Sequence, residues 1–588
     1  MNAVASILDS VNSAEDVKKL NAQELNLLAQ EIREHLIKKV NATGGHFGSN
    51  LGIVEATIAL HYVFNSPVDK IVFDVSHQCY AHKMLTGRKT GFTAPAHYGD
   101  YTGYTSPKES VHDSFKVGHT STSVSLATGL AKGRDLLGKK GNVIAVIGDG
   151  SLTGGEALEG LNNAAVLNSN LIILLNDNDM SIAENQGGIC NMLTELRENN
   201  GKVKNNFFEA LGFEYMYLDE GNNIQKLIET FEKVKDTDHP VVVHIHTQKG
   251  KGFKPAEIHK EFFHFILPDT LSHLSDVPVP TEDYNSITKA YLEEKIAEGM
   301  SIVAISAATP AVFGFDSAFR TKLGSHYIDV GIAEEHAIGL SSGIAKAGGR
   351  PIFCVMSSFV QRTYDQLSQD LALNNNPATL LVYWGGISPA DDTHLGTFDI
   401  PLICNIPNMV YLAPTCKEEY IQMLKWSTHQ NDHSVAIRVP GNFVSCGKED
   451  TTDYSVLNKF SVAEKGSKVA LVGAGTFFWK AREVKAFLKE KLGIDATLIN
   501  PRFLTGVDTE LLEGLKQDHQ IVITLEDGEI NGGFGEKITR FYGNSNMKVL
   551  NYGSHKEFTD KVPLAELYKR YRLTPELIAE DIVKAGVK

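Results

Sequence analysis

Two tripeptides carry the clearest chemistry in this chain, Gly148-Asp149-Gly150 and Asn176-Asp177-Asn178. Each closes an apolar run, 142–147 (NVIAVI) and 171–175 (LIILL). Between them Ala157, Leu158, Leu161, Ala164 and Ala165 recur at helical spacing. The stretch therefore reads as strand, helix, strand and implies a parallel sheet. Neighbouring strands of such a sheet end at one edge, where ligands bind. Asp149 and Asn178, one crossover apart, then bring a carboxylate and an amide oxygen together. The pair suits a hard cation such as magnesium, which keeps places for phosphate oxygens and water. The glycines let backbone amides approach a phosphate, and a following helix start favours an anion.

Either tripeptide alone is a common strand-end turn. Both together, each after an apolar strand, form the signature of thiamine diphosphate binding. Lys249-Gly250-Lys251-Gly252 follows the strand-like 240–246 (PVVVHIH), where a lysine can neutralise a diphosphate; alone it would be a solvated basic turn. Gly118-His119-Thr120 offers small and hydroxyl groups ahead of a helix, or simply its N-cap.

Thiamine diphosphate acts after its thiazolium loses a proton to its own aminopyrimidine. A carboxyl group at the pyrimidine nitrogen must promote the active tautomer, and it belongs in a mostly apolar pocket. Glu334, in DVGIAE after a strand, fits that role. Its neighbour Glu335, and an ordinary first-turn helix acid, are readings the pattern leaves open. His46 lies in TGGHFG, His77 in DVSHQ, His264 after Phe262-Phe263, and His394 in ADDTHLG. Among 21 histidines any one is more readily structural. Several at the ends of apolar strands point toward proton transfer or oxyanion donation.

The elements that must position these groups fall into three successive α/β units, since 588 residues exceed what one core holds. The first runs over about 25–243. A Pro-, Ser- and Asp-rich stretch, 268–283, reads as a linker. The second unit has apolar runs at 301–306, 327–330, 352–355 and 379–383, and ends near Val439-Pro440-Gly441-Asn442. Polar 447–453 (GKEDTTD) reads as the second linker, and the third unit has runs at 469–472, 496–499 and 521–525.

With 42% apolar and 22% charged residues the composition is that of an ordinary soluble protein. A net charge of -15 gives no general attraction to nucleic acid or anionic lipid, so anionic substrates need locally placed cations. None of the six cysteines forms a CxxC pair, and reduced cytosolic thiols are expected. The N-terminus shows no secretory signal and no run reaches membrane-spanning length, so a cytoplasmic location without a membrane partner is expected.

The stretches GGHFGSNLGIVEATIALH, DVSHQCYAHKMLTGR, VGHTSTSVS, GDGSLTGG, LNDNDMSIAEN, KGKGFKPAE, DVGIAEEHA, SSFVQRTYDQ and RVPGNF together resemble the 1-deoxy-D-xylulose-5-phosphate synthase family of the transketolase superfamily, over nearly the whole chain. The resemblance implies a transketolase-like α/β fold of three doubly wound parallel-sheet domains. They would be a diphosphate-binding domain at 1–270, a pyrimidine-binding domain at 285–445 and a C-terminal domain at 455–588. It also implies a homodimer and a decarboxylating condensation of pyruvate with glyceraldehyde 3-phosphate, feeding isoprenoid, thiamine and pyridoxal precursors. By position, Asp149, Asn178 and the Met180 carbonyl would bind Mg2+. His77, Gly118, His119, Thr120, Gly150, Ser151 and Lys249 would hold the diphosphate side. Phe359 would face the aminopyrimidine and Glu334 would activate it. His46, His264, Asp391 and His394 would line the substrate cavity.

Some positions depart from the family pattern. Tyr383-Trp384-Gly385-Gly386 stands where the family reads DRAG, and Val439-Pro440-Gly441-Asn442 where it reads YPRGN. Both family arginines for the acceptor phosphate are thus missing, leaving Arg362 or Arg438 as substitutes. Family tyrosines are replaced by Met356 and by Phe253, the latter on the cofactor side, and the segment from Asn185 to Phe207 is short. Two other readings follow. One is a related carboligase or transketolase-like enzyme with a different, unphosphorylated acceptor. The other is a cofactor-binding protein without turnover, against which the retained Glu334 and histidines argue.

Overall fold

A computed structural model describes residues 6–274, 282–441 and 444–587. Residues 275–281 of the expected first linker, Asn442 and Phe443 after Gly441, and Met1 to Ala5 lie outside the described residues. The chain forms two compact units, one of Met1–Val279 with Gly331–Ala333 and one of Pro280–Val330 with Glu334–Lys588.

The first unit is built on five parallel strands, β1 (Lys70–Phe73), β2 (Val143–Gly148), β3 (Leu171–Asp177), β4 (Glu214–Leu218) and β5 (Pro240–His246). Their order is β1-β2-β3-β5-β4. The apolar runs alternate between two cores. Ile144, Val146, Ile172 and Leu174 enter one, while Val143, Ala145, Ile147, Ile173 and Leu175 enter the other. That is the two-sided burial expected of a parallel strand covered on both faces. Helices α1 (Ser123–Leu136), α2 (Gly155–Ala164) and α3 (Gly188–Glu198) belong to this unit. The expected helix directly after Gly150 is delayed, because Ser151–Thr153 forms one 3-10 turn first.

The second unit holds two sheets. Strands β6 (Ile302–Ser306), β7 (Tyr327–Asp329), β8 (Arg350–Met356), β9 (Thr379–Tyr383), β10 (Met409–Leu412) and β11 (Ser434–Arg438) form a parallel sheet in the order β10-β11-β9-β8-β6-β7. Helix α4 (Glu334–Lys346) follows β7, and α5 (Lys417–His429) joins β10 to β11. Strands β12 (Ser461–Glu464), β13 (Lys468–Gly473), β14 (Thr497–Asn500), β15 (His519–Glu529) and β16 (Lys548–Ser554) form the second sheet in the order β12-β14-β13-β15-β16. β12 runs antiparallel to β14, so this sheet is not wholly parallel. Its half-exposed side chains gave no apolar run to read. Tyr411, Leu380 and Ala436 of one sheet share a core with Val472, Ile499 and Val522 of the other.

Cys416 and Cys446 are joined in a disulfide, with Cα atoms 5.9 Å apart, which corrects the expectation of six reduced thiols. The fold returns the 447–453 region to the start of α5, a proximity that cysteine spacing does not reveal.

Arg438, at the end of β11, is buried between the carboxylates of Asp399 and Asp527. Its Nε donates to Asp399 Oδ2 at 2.6 Å, and Nη1 donates to Asp527. Truncating it would strand two buried anions, a loss of about 3–5 kcal/mol. Arg438→Ala should lower the thermal midpoint of the second unit while Arg362→Ala does not; equal midpoints for wild type and Arg438→Ala would show that the cluster contributes no stability.

Candidate functional site

In the first unit the strand ends gather the residues singled out above. β1 is followed by Val75 and Ser76 at φ 57 and 59, a backbone region that a β-branched valine rarely adopts. Ser76 Oγ, donating to Val117 O and accepting Thr105 N, braces this turn just before His77. Asp74 accepts the amides of Ser121 and Ser123, anchoring the VGHTS stretch with Gly118, His119 and Thr120 beside β1. The N-cap reading of this stretch is not what the structure shows, since Thr122 caps α1 without a side-chain bond.

His46 and His264 meet through a two-residue antiparallel ladder in which Gly45 faces Ile266 and His46 faces Phe265. The ring centres of His46, His77 and His264 lie 4.9, 5.5 and 5.6 Å apart. Burial, then the nearby Lys249, holds His264 well below the usual imidazole range, so it is neutral. Asn50, donating to the carbonyls of both His46 and His77, ties the cluster and was not read from sequence. Phe253 packs against Phe47 and Phe263, at 5.4 and 5.8 Å between ring centres.

At the ends of β2 and β3, Asp149 Oδ2 accepts the Met180 amide at 3.0 Å and the Asn185 side-chain amide at 2.7 Å. Asn178 is buried and its Oδ1 has no hydrogen-bond partner. Burial, then the Asp177 carboxylate, raises the pKa of Asp149. Burial opposes ionisation of Asp177 too, but His244 and Arg197 hold it well below the usual carboxylate range. His244 Nε2 donates to Asp177 at 2.9 Å and its Nδ1 accepts from Tyr215 Oη at 2.8 Å. Arg197, from the last turn of α3, bonds Asp177 and Asp179 on either side of Asn178, each at 2.6 Å. Sequence reasoning missed Arg197, His244 and Tyr215, which lie on other elements; only their place on α3, β5 and β4 relates them to the NDND run.

Lys249 is buried and donates to Ser181 O. Burial pushes its ammonium down to about 7. A Cβ on Gly150 would lie 2.6 Å from Ser181 Oγ, so only glycine fits there. A buried carboxylate with a raised pKa, an amide oxygen without a hydrogen-bond partner among the described residues and a buried lysine fit a cation–diphosphate group.

Between β7 and α4 the chain turns at Gly331, at φ 73. Glu334 opens that helix and is 4% exposed, whereas Glu335 is half-buried. Burial pushes the Glu334 carboxyl up to about 7, with Arg362 opposing. Its Oε2 has no hydrogen-bond partner and lies 4.0 Å from Arg362 Nη1. Phe359 and His394 stack edge-on at 5.6 Å, and His394 Nδ1 is 3.5 Å from Asp391. His394 and Thr393, against the effect of burial, hold the Asp391 carboxyl well below its usual range. Trp384 follows β9 at φ 58 and is 60% exposed. Gly385 packs on the Arg438 guanidinium, where a Cβ would lie 2.7 Å from Nε.

Residues 283–443 match the transketolase pyrimidine-binding domain and 458–578 the transketolase C-terminal domain. With parallel sheets of this order, they define a thiamine-diphosphate-dependent transferase of the transketolase superfamily. Residues 8–204 and 199–247 match the N-terminal region of 1-deoxy-D-xylulose-5-phosphate synthase. Curated proteins of that name are similar along their full length. The one from Clostridium botulinum is 37% identical over 98% of this chain and 99% of its own. The one from Symbiobacterium thermophilum is 39% identical over 97% of this chain and 94% of its own. The chain belongs to the 1-deoxy-D-xylulose-5-phosphate synthase family.

Two outcomes are expected. Asp149→Ala should weaken metal-dependent cofactor binding by about 100-fold or more, and Arg197→Gln by about 10-fold through the loosened Asn178 loop; calorimetry giving unchanged affinities would remove both from the site. For Glu334 the folded pKa lies above the unfolded one. Its stabilising contribution is therefore complete below about pH 4.5 and lost as pH rises through about 7. Without cofactor, the wild type should lose about 3 kcal/mol relative to Glu334→Gln across that window. Parallel stability curves for the two proteins would contradict the burial assigned to Glu334.

Proposed function

We propose that this chain condenses pyruvate with glyceraldehyde 3-phosphate, releasing CO2, through the residues described above, at a centre loaded with thiamine diphosphate and Mg2+. Asp149, Asn178 and the Met180 carbonyl hold the cation. Lys249, His77, Gly118, His119, Thr120, Gly150 and Ser151 receive the diphosphate, whose charge restores the ammonium that burial weakens in Lys249. Phe359 faces the aminopyrimidine ring and Phe253 supports the cofactor side from its aromatic cluster. When bound, the cofactor supplies a nucleophilic carbon and an electron sink.

The observation that carries this reading is the state of Glu334. A buried carboxyl near pH 7, with an oxygen lacking a hydrogen-bond partner, can hold a proton at a pyrimidine nitrogen and return it. His46, neutral His264, His394 and Asp391 exchange protons with the substrates. The domains are 1–270, 285–445 and 455–588, the working form is a homodimer, and the compartment is the cytoplasm. Among the described residues no helix is long and apolar enough to cross a membrane.

The acceptor side is the altered part. Arg438 is committed to Asp399 and Asp527, which leaves Arg362 as the nearer candidate for the phosphate. Two charge-assisted bonds to a phosphate are together worth roughly 3–6 kcal/mol, about two to four powers of ten in affinity. Steady-state assays with pyruvate should therefore release CO2 with both glyceraldehyde 3-phosphate and glyceraldehyde, with a raised Michaelis constant for the former and a small ratio of specificity constants. A strong preference for the phosphorylated aldehyde would place its phosphate on other residues, Arg362 first. Release of CO2 with neither aldehyde would overturn the assignment.

A further inference from the structure

The Cys416–Cys446 pair differs chemically from every other cysteine of the chain. Cys79, Cys190 and Cys404 are thiols that burial pushes up to about 12, and burial raises Cys354 as well. Such groups are inert toward exchange at neutral pH. The disulfide, in contrast, has one buried and one exposed end. Cys416 is 0% exposed and is the N-cap of α5, whereas Cys446 lies in an exposed segment.

The bond crosses a seam of the second unit. The 444–447 segment follows β11 and is held to the first turn of α5. Lys417 N donates to Val444 O at 2.8 Å. Glu418 accepts from Ser445 Oγ at 2.6 Å, Cys446 N at 2.7 Å and Gly447 N at 3.1 Å. The same turn of α5 grips the second sheet. Thr415 O accepts from Trp479 Nε1 at 2.8 Å, and Glu419 accepts from Asn500 Nδ2 at 2.7 Å and Arg502 Nε at 3.3 Å. The disulfide is thus the one covalent tie, among the described residues, fixing the connection between the two sheets to that seam.

We propose that Cys416–Cys446 is a thiol–disulfide exchange site whose partner is a protein dithiol. In a reducing compartment a disulfide is ordinarily transient or redox-sensing. The partner's thiolate attacks the exposed Cys446 Sγ. The Cys416–Cys446 bond breaks, and its electron pair leaves on Cys416 Sγ, which takes up a proton. The helix amino end favours that leaving thiolate. The Glu418 charge opposes it but is engaged by the donors of 445–447. The partner's second thiol then displaces Cys446, so two electrons and two protons pass to this chain and the partner becomes a disulfide. The 444–447 segment then keeps its hydrogen bonds to the start of α5 but loses its covalent tie.

The test uses the full-length cofactor-loaded protein in native buffer and a thioredoxin-type dithiol protein whose resolving cysteine is serine. Peptide mapping should find the mixed disulfide on Cys446, with Cys416 free. Complete reduction with the intact dithiol should raise hydrogen exchange across 444–453 and lower the thermal midpoint by roughly 5 °C. The double variant C416S/C446S should show the lowered midpoint with no response to the dithiol. Three results would overturn the proposal: reduction only after denaturant is added, an adduct on Cys416, or unchanged exchange across 444–453. Cys416, Glu418 and Cys446 also place three ligand atoms within 4.8 Å of one another. One equivalent of zinc held by the reduced protein and lost in the double variant would assign the pair to metal binding instead.

Discussion

The strand ends of the first unit's sheet are arranged around the buried charge of Asp177. Asp177 ends the central strand β3 with no exposure to water, and a carboxylate there persists only if cations or donors surround it. His244 from β5 and Arg197 from α3 meet that need, and each is fixed in turn, His244 by Tyr215 and Arg197 by Asp179 and Thr194. The consequence falls on Asp149. It is buried beside the Asp177 charge and is hydrogen-bonded by amides rather than ion-paired among the described residues, so ionisation there is unfavourable. The strand ends thus hold two neighbouring carboxyls in opposite states, Asp177 kept ionised by its partners and Asp149 pushed toward its protonated form.

The second unit uses burial in two opposite ways. Asp399 and Asp527 are buried against Arg438 and contribute to packing between the sheets. Glu334 is buried equally deeply, yet its nearest cation stands off at 4.0 Å. A carboxyl buried with its nearest cation at a distance and an oxygen without a hydrogen-bond partner can gain and lose a proton near neutral pH.

Where the sequence was informative, it was so for a physical reason. The central strands are buried on both faces and read as continuous apolar runs, so β3, β5 and β9 lie within two residues of where hydropathy put them. The GDG and NDN runs could be paired because a crossover has a limited length. The edge strand β12, half-exposed and short, left no such trace. Arg197 and His244 were invisible because their partners are distant in sequence, and nothing about an isolated arginine on a helix announces a buried carboxylate behind it. Glu334 and Glu335 were equivalent as letters; the direction in which the first turn of α4 points them makes one buried and leaves the other half-exposed. The disulfide escaped for the same reason as Arg197, since closure of the chain over 30 residues depends on tertiary structure.

The turn after β9 has an optical consequence. The chain has three tryptophans. Trp479 is fixed by its indole N–H on Thr415 O, and Trp426 packs beside His433 and Tyr454. Trp384 is the most exposed of the three, the other two being half-buried, and its backbone is one that Gly385 and Gly386 pin against Arg438 and Asp527. Its emission is therefore the red-shifted, quencher-accessible fraction of the protein's intrinsic fluorescence. The end of β9 thus carries a built-in reporter of whatever approaches it, without any attached dye.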